Sequence, residues 1–231
     1  MSSEFIVIGH RGAAGLAPEN TLASFARAVE LGVDMVELDV QLTTDHRLAV
    51  IHDETVERTT DGAGRVSELT FARIHSLDAG AGQQVPGLEE VLDTVGRRCR
   101  VNVELKGENT GSAVCTLLRE YVSRQGWRWR DFLISSFDYD RLSQARELLP
   151  EVPIAVLFSD LPDDFLEMAK ALKASYVNLS LEQATPERIA AAGYAGLPVL
   201  VYTVNSAGEA DSLRRIGAAG VFTDYPDLIK P

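Results

Sequence analysis

Short apolar runs rich in Val, Ile, Leu and Phe recur from one end of the chain to the other. Most are followed by a segment whose apolar residues fall at three- and four-residue spacing. This alternation predicts strand-helix units and a parallel sheet. The runs are FIVIG (5–9), DMVELDV (34–40), RVNVEL (100–105), FLISS (132–136), PIAVLF (153–158), SYVNLS (175–180), PVLVYTV (198–204) and GVFT (220–223). Helical periodicity covers 21–31, 88–96, 111–125, 139–148, 163–173, 186–193 and 206–216. Gly and Pro mark the junctions: Thr185-Pro186 reads as a cap and first helical residue, Gly193 and Gly217 as helix ends, Pro153 and Pro198 as strand openings. Eight strands in this order predict an α/β fold, a (β/α)8 TIM barrel, as one domain over 1–231.

The alternation lapses between about residues 41 and 87. A strand-like RLAVIHD (47–53) is followed by a polar, Gly-rich stretch with a weak helical signal at 70–76. That is too long for an ordinary strand-to-helix loop. It predicts a small inserted subdomain at about 53–87, after strand two, standing over the barrel mouth. At the other end the last helix is abbreviated, with only YPDLIKP after the eighth strand.

Polar residues inside the apolar runs change the picture. Alternation places Glu37 and Asp39 on one face of their strand against Val36, Leu38 and Val40, and Glu104 with Lys106 opposite Val103 and Leu105. Because the apolar face of a barrel strand meets the helices, the charged face turns inward. His10-Arg11 and His52-Asp53 likewise follow apolar runs directly. Burying such charges costs several kcal/mol each, as an order of magnitude, unless an ion or a metal compensates them.

Composition narrows the partners. With 22 basic and 34 acidic residues among 231, the formal net charge of −12 argues against nucleic acid or an anionic membrane surface as a ligand. No run approaches the roughly 20 apolar residues of a membrane-spanning helix, and MSSEFIVIGH lacks the pattern of a secretion signal. These features predict a soluble, cytoplasmic protein. Cys99 and Cys115 show neither metal-ligand spacing nor a disulfide framework and read as reduced packing residues. His46 and His75 read as solvated, and Trp127 and Trp129 of WRWR as surface packing at a helix end.

Three carboxylates on adjacent strands, Glu37, Asp39 and Glu104, are hard oxygen donors suited to one divalent cation, Mg²⁺ or Ca²⁺. The competing reading pairs them with Lys106 and Arg11, but three converging carboxylates without a further cation repel and protonate. His10 and His52 form a candidate acid-base pair, one accepting a proton from a nucleophile while the other donates to a leaving oxygen. Arg11 supplies a planar donor fork for phosphate and Lys106 a point charge. Phe137 and Tyr202, at strand ends, can wall an alcohol group. Asn20 reads as the N-cap of the first helix.

Taken together, GHRGAAGLAPENT (9–21), ELDVQLTTD (37–45), VIHDETVERTT (50–60), NVELK (102–106), SSFD (135–138), VYTVN (201–205) and GVFTDYP (220–226) resemble the glycerophosphodiester phosphodiesterase family along nearly the whole chain. The resemblance implies a barrel enzyme that hydrolyses a small-molecule glycerophosphodiester to glycerol 3-phosphate and an alcohol. It implies Glu37, Asp39 and Glu104 as metal ligands, and His10 and His52 as the acid-base pair. One histidine would deprotonate the glycerol 2-hydroxyl for attack on phosphorus, through a cyclic phosphate, and the other would protonate the departing alcohol. Glu19 and Asn20 are placed near the site, Asn20 against a histidine or a water on the metal. One departure is Tyr202, where the family often has Trp, and it bears on the shape of the alcohol-side pocket. Lysophospholipase D or phospholipid lyase chemistry, and a non-catalytic phosphoester-binding barrel, are the competing readings.

Overall fold

The computed structural model describes residues 5–230; the first four residues of the segment read above for a secretion signal, and Pro231, lie outside them. Strands β1 (Ile6–Gly9) and β2 (Met35–Leu42) pair in parallel and close a ring that runs onward through β4 (Arg100–Leu105), β5 (Phe132–Ser136), β6 (Ile154–Leu157), β7 (Tyr176–Ser180), β8 (Val199–Tyr202) and β9 (Gly220–Thr223) back to β1. This is the expected eight-stranded barrel. A ninth, short strand, β3 (Leu48–Val50), pairs antiparallel with the end of β2 and extends it by a hairpin to Leu42.

Helices α1 (Leu22–Glu30), α3 (Leu88–Val95), α4 (Thr110–Arg124), α5 (Tyr139–Leu148), α6 (Phe165–Ala171), α7 (Pro186–Tyr194), α8 (Ala207–Arg215) and α9 (Pro226–Ile229) lie between or after the strands, and α2 (Phe71–His75) belongs to the segment after β3. Local chemistry sets their ends. The Thr21 and Thr185 hydroxyls accept the N–H groups of Ser24 and Arg188, and Glu90 accepts that of Gly87 at 2.8 Å. The helix end expected at Gly193 falls at Tyr194, and Gly196, at φ 75°, turns the chain instead. Asn20 is not the cap of α1: Thr21 is, and Asn20 sits one residue earlier at φ 57°.

Strand alternation sorts the side chains into two compartments. Outward residues such as Val36, Leu38 and Val40 of β2 and Val101, Val103 and Leu105 of β4 pack with Phe25 of α1 and Leu88, Val91 and Leu92 of α3. Inward, Ile8, Met35, Leu133, Ala155, Leu200 and Phe222 form a second cluster in the barrel interior. Asn102 and Asn178 interrupt this layer, fully buried and without protein partners for their amides. The polar segment after β3 is less polar inside than its composition implies, since Ile51, Val56, Val66, Ile74, Leu77 and Val85 make a third cluster with Phe71 packed against it.

Both cysteines are free, Cys115 buried. Trp127 contradicts its expected surface role, lying 4% exposed and stacked on Phe132 at 4.8 Å between ring centroids. Solvent does reach His46, but His75 is half-buried, stacked on Phe71 and bonded through Nδ1 to the Val85 carbonyl. Among the described residues no helix is long and apolar enough to cross a membrane.

Candidate active site

A cavity of about 150 Å³ opens at the C-terminal ends of the strands, lined by His10, Arg11, Glu37, Asp39, His52, Glu104, Lys106, Phe137 and Tyr202. Nine of the ten sequence-predicted site residues therefore meet in one place, and Asn20 stands behind them. Register explains part of the gathering: Asp39 is paired with Glu104 across adjacent parallel strands, so these two inward carboxylates are direct neighbours.

The turn after β1 is built for close approach. A Cβ on Gly9 would meet the Gly12 carbonyl oxygen at 2.2 Å, and Gly12 itself has φ 88°. Arg11 between them takes φ 48°, a conformation a non-glycine residue adopts only when its surroundings hold it. They do so on both sides. The Arg11 N–H donates to Glu37 Oε2 at 2.8 Å, and its carbonyl accepts from the Ser24 hydroxyl at 2.8 Å and the Asn20 N–H at 3.1 Å.

Glu37, Asp39 and Glu104 are all buried, with donor atoms within 4.8 Å of one another. Burial and the neighbouring Asp39 charge push the Glu37 carboxyl up to about 8, and burial with Asp39 also raises Glu104. Lys106 Nζ lies 2.6 Å from Glu104 Oε1 and 3.6 Å from Asp39 Oδ1, so one ammonium is shared between two of the three carboxylates. Asn20 donates its amide to Asp39 Oδ2 at 2.9 Å, fixing that carboxylate rather than a histidine. Three crowded hard-oxygen donors facing one shared ammonium form a cluster that can hold a metal ion.

The histidines sit in contrasting settings. His10 Nδ1 is 2.7 Å from Asp224 Oδ1, and Asn205 donates to the other oxygen of that carboxylate at 2.7 Å. An ionised carboxylate only accepts, so Nδ1 carries the proton and Nε2 is left for the cavity. Burial works against a charged His10, but the bond to Asp224 and the Glu37 charge outweigh it, and its pKa stands above the ordinary value. His52 Nδ1 is 2.6 Å from Asp53 Oδ1, which holds it in the same tautomer. Here burial dominates, aided by Lys106 and Arg11, and the pKa falls below the ordinary value despite Asp39 and Asp53.

Arg11 Nη1 donates to Glu19 at 2.7 Å, while its buried Nε has no hydrogen-bond partner and lies 3.4 Å from Asp39. Phe137 and Tyr202 meet edge-to-face at 6.1 Å, and Lys106 Nζ stands 5.4 Å over the Phe137 ring. Asp224, Asn205 and Arg58 were not singled out from sequence, although all three fall inside quoted motifs.

Two half-buried histidines, a guanidinium, an ammonium and a hard-oxygen cluster around one cavity suit in-line transfer at an anionic phosphorus centre, the chemistry of a phosphodiesterase on a (β/α)8 barrel. The chain belongs to the glycerophosphoryl diester phosphodiesterase family, which it matches over residues 10–228, and the resemblance drawn from its motifs is borne out. A glycerophosphodiester phosphodiesterase of Caldanaerobacter subterraneus subsp. tengcongensis is 34% identical over 233 residues, covering 97% of this chain and 96% of the relative. That of Bacillus altitudinis is 35% identical over 234 residues, covering 96% and 95%. Among solved structures, an Oleispira antarctica phosphodiesterase in complex with the product sn-glycerol-3-phosphate superposes with a TM-score of 0.90 at 32% identity, over 97% of this chain and 94% of that one.

Proposed function

We propose that this chain hydrolyses glycerophosphodiesters to glycerol 3-phosphate and an alcohol, with Glu37, Asp39 and Glu104 holding one divalent cation, Mg²⁺ or Ca²⁺. The observation that carries the reading is the pair of histidines, each with Nδ1 on a carboxylate, facing one cavity with three clustered carboxylates. Three inward carboxylates offset the charges of Arg11, Lys106 and the protonated His10, so the pocket alone offers no net positive charge to an anionic substrate. A dication bound by the triad supplies the missing positive charge and polarises the phosphoryl oxygens.

The remaining steps belong to the chain's own residues. Arg11, through its unpartnered Nε, and Lys106 bind the phosphate oxygens. His52, with its lowered pKa, is neutral and accepts the proton of the glycerol 2-hydroxyl. The freed oxygen attacks phosphorus within the same molecule, gaining the advantage of proximity. As the bond to the alcohol oxygen breaks, His10, held protonated by Asp224, donates its proton there. Water then opens the cyclic phosphate with the roles reversed: His10 accepts the water proton and His52 returns one to the 2-oxygen. The alcohol leaves past Phe137 and Tyr202, where a groove of about 550 Å³ shares Lys106 and Phe137 with the cavity and continues to Arg141. No covalent enzyme residue is required. Asn20 acts by fixing Asp39, the segment at 53–87 is an inserted subdomain of a single-domain enzyme, and the cytoplasm remains the expected location.

Two substrates test this. Glycerophosphocholine with added divalent cation should yield choline and glycerol 3-phosphate faster than lysolipids are cleaved. A 2-deoxyglycerol analogue should bind as a competitive inhibitor and turn over very slowly. Preference for lysolipids would overturn the substrate assignment, and equal rates for the analogue and glycerophosphocholine would overturn the cyclic path.

A further inference from the structure

Arg58 lies outside the cavity, half-exposed, in the segment between β3 and α3. Its guanidinium is nevertheless committed at every nitrogen. Nε and Nη2 donate to the two oxygens of Asp53 at 2.5 and 3.1 Å, while Nη1 and Nη2 donate to the two oxygens of Glu19 at 2.9 Å each. Each of those carboxylates has one further partner, and both partners line the cavity: Asp53 accepts from His52 Nδ1, and Glu19 accepts from Arg11 Nη1.

We propose that Arg58 is a positioning residue that fixes His52 and Arg11 relative to one another through a double fork onto Asp53 and Glu19. The inference rests on the reading of function given above. His52 and Arg11 come from opposite ends of a long stretch of chain and share no direct bond; the continuous path of hydrogen bonds between them runs Arg11, Glu19, Arg58, Asp53, His52. Arg58 is itself presented by a turn anchored in the segment's own core, with Val56 fully buried and its carbonyl accepting from the Thr60 hydroxyl at 2.7 Å. The insertion therefore does more than stand at the mouth: its core sets the place of a group on which two cavity residues depend. Lysine cannot fill this role, because a point charge cannot present parallel donors to two carboxylates at once.

The test compares wild type with Arg58→Met and Arg58→Lys on glycerophosphocholine with added Mg²⁺, reading kcat, KM, the unfolding transition and the effect of millimolar guanidinium ion. Loss of orientation on this scale costs about tenfold to 10²-fold in kcat/KM, divided between a lower kcat from His52 and a higher KM from Arg11. Guanidinium should restore part of the loss in Arg58→Met, since the half-exposed site admits it, while Arg58→Lys recovers only a fraction. The unfolding transition should stay near that of wild type. Should Arg58→Met fail to fold, Arg58→Lys carries the same kinetic readouts. Turnover within about twofold of wild type, or a loss that follows a lowered unfolding transition without guanidinium rescue, overturns the inference. A wild-type protein without turnover overturns the reading of function and this inference with it, whereas an active wild type beside an equally active Arg58→Met overturns this inference alone.

Discussion

Two layers of the barrel interior lie two residues apart along the same strands and the residues that follow them directly. The lower holds Ile8, Met35, Leu133, Leu200 and Phe222; the upper holds His10, Glu37, Ser135, Tyr202 and Asp224. Both are largely closed to solvent, yet one is filled by packing and the other is crowded with charge. The difference shows what a step of one strand period accomplishes. Each apolar residue supports the polar one above it, and the lower layer supplies the stability that the upper layer sacrifices.

The largest break in this contrast comes from Glu37. Glu37→Gln should abolish turnover, with several kcal/mol of transition-state stabilisation lost as an order of magnitude, and should diminish the thermal shift caused by divalent cations. Because burial and Asp39 raise this carboxyl from the ordinary 4.5 to about 8, the metal-free native state holds its proton longer than the unfolded chain does. Metal-free wild type should therefore lose stability as pH rises from about 4.5 to about 8, and Glu37→Gln should lose less. Urea unfolding across that range, with and without chelator, checks both. A Glu37→Gln protein with a wild-type slope would place the charge strain elsewhere.

Next come the histidines, whose loss should fall on rate and leave folding in place. His10→Ala and His52→Ala should each reduce kcat by about 10²-fold or more with the unfolding midpoint retained. The pH profile sharpens the roles. Activity should rise through the lowered pKa of His52 as it becomes neutral and fall through the raised pKa of His10 as it loses its proton. His52→Ala should erase the acidic limb alone. The opposite pattern, lower stability with activity kept, would make both histidines packing residues.

How much of this was legible beforehand follows from where each signal lies. Glu37, Asp39, Glu104 and Lys106 were readable because a charge at every second position of an apolar run has one consequence in a barrel. The groups that orient the histidines were not. Asp224 reaches His10 across 214 residues, and Arg58 reaches Glu19 across 39, distances at which no local pattern reports a contact. Asn20 was misread for a related reason: its residue type and place favour a cap, but its side chain is drawn to Asp39, 19 positions on, and Thr21 caps instead. Trp127 was misread because the charged residues of WRWR argue for solvent, whereas its ring fills space beside Phe132 and Tyr121.

The smallest catalytic effect should come from the lower layer. Leu133→Ala should cost about 2–5 kcal/mol of stability, as truncation of a fully buried leucine does, while the folded fraction keeps kcat and KM close to wild type. Differential unfolding and active-site-normalised kinetics separate the two. A large fall in kcat in that variant would show that the layers are not separable.

The central claim is that the charged cavity works only when Glu37, Asp39 and Glu104 share a cation. Its most direct test is turnover of glycerophosphocholine by enzyme thoroughly stripped of divalent ions and then titrated with Mg²⁺ or Ca²⁺. Turnover should be close to zero after stripping and return with the added ion, in step with the rise in unfolding temperature. Full turnover in the stripped enzyme would contradict it.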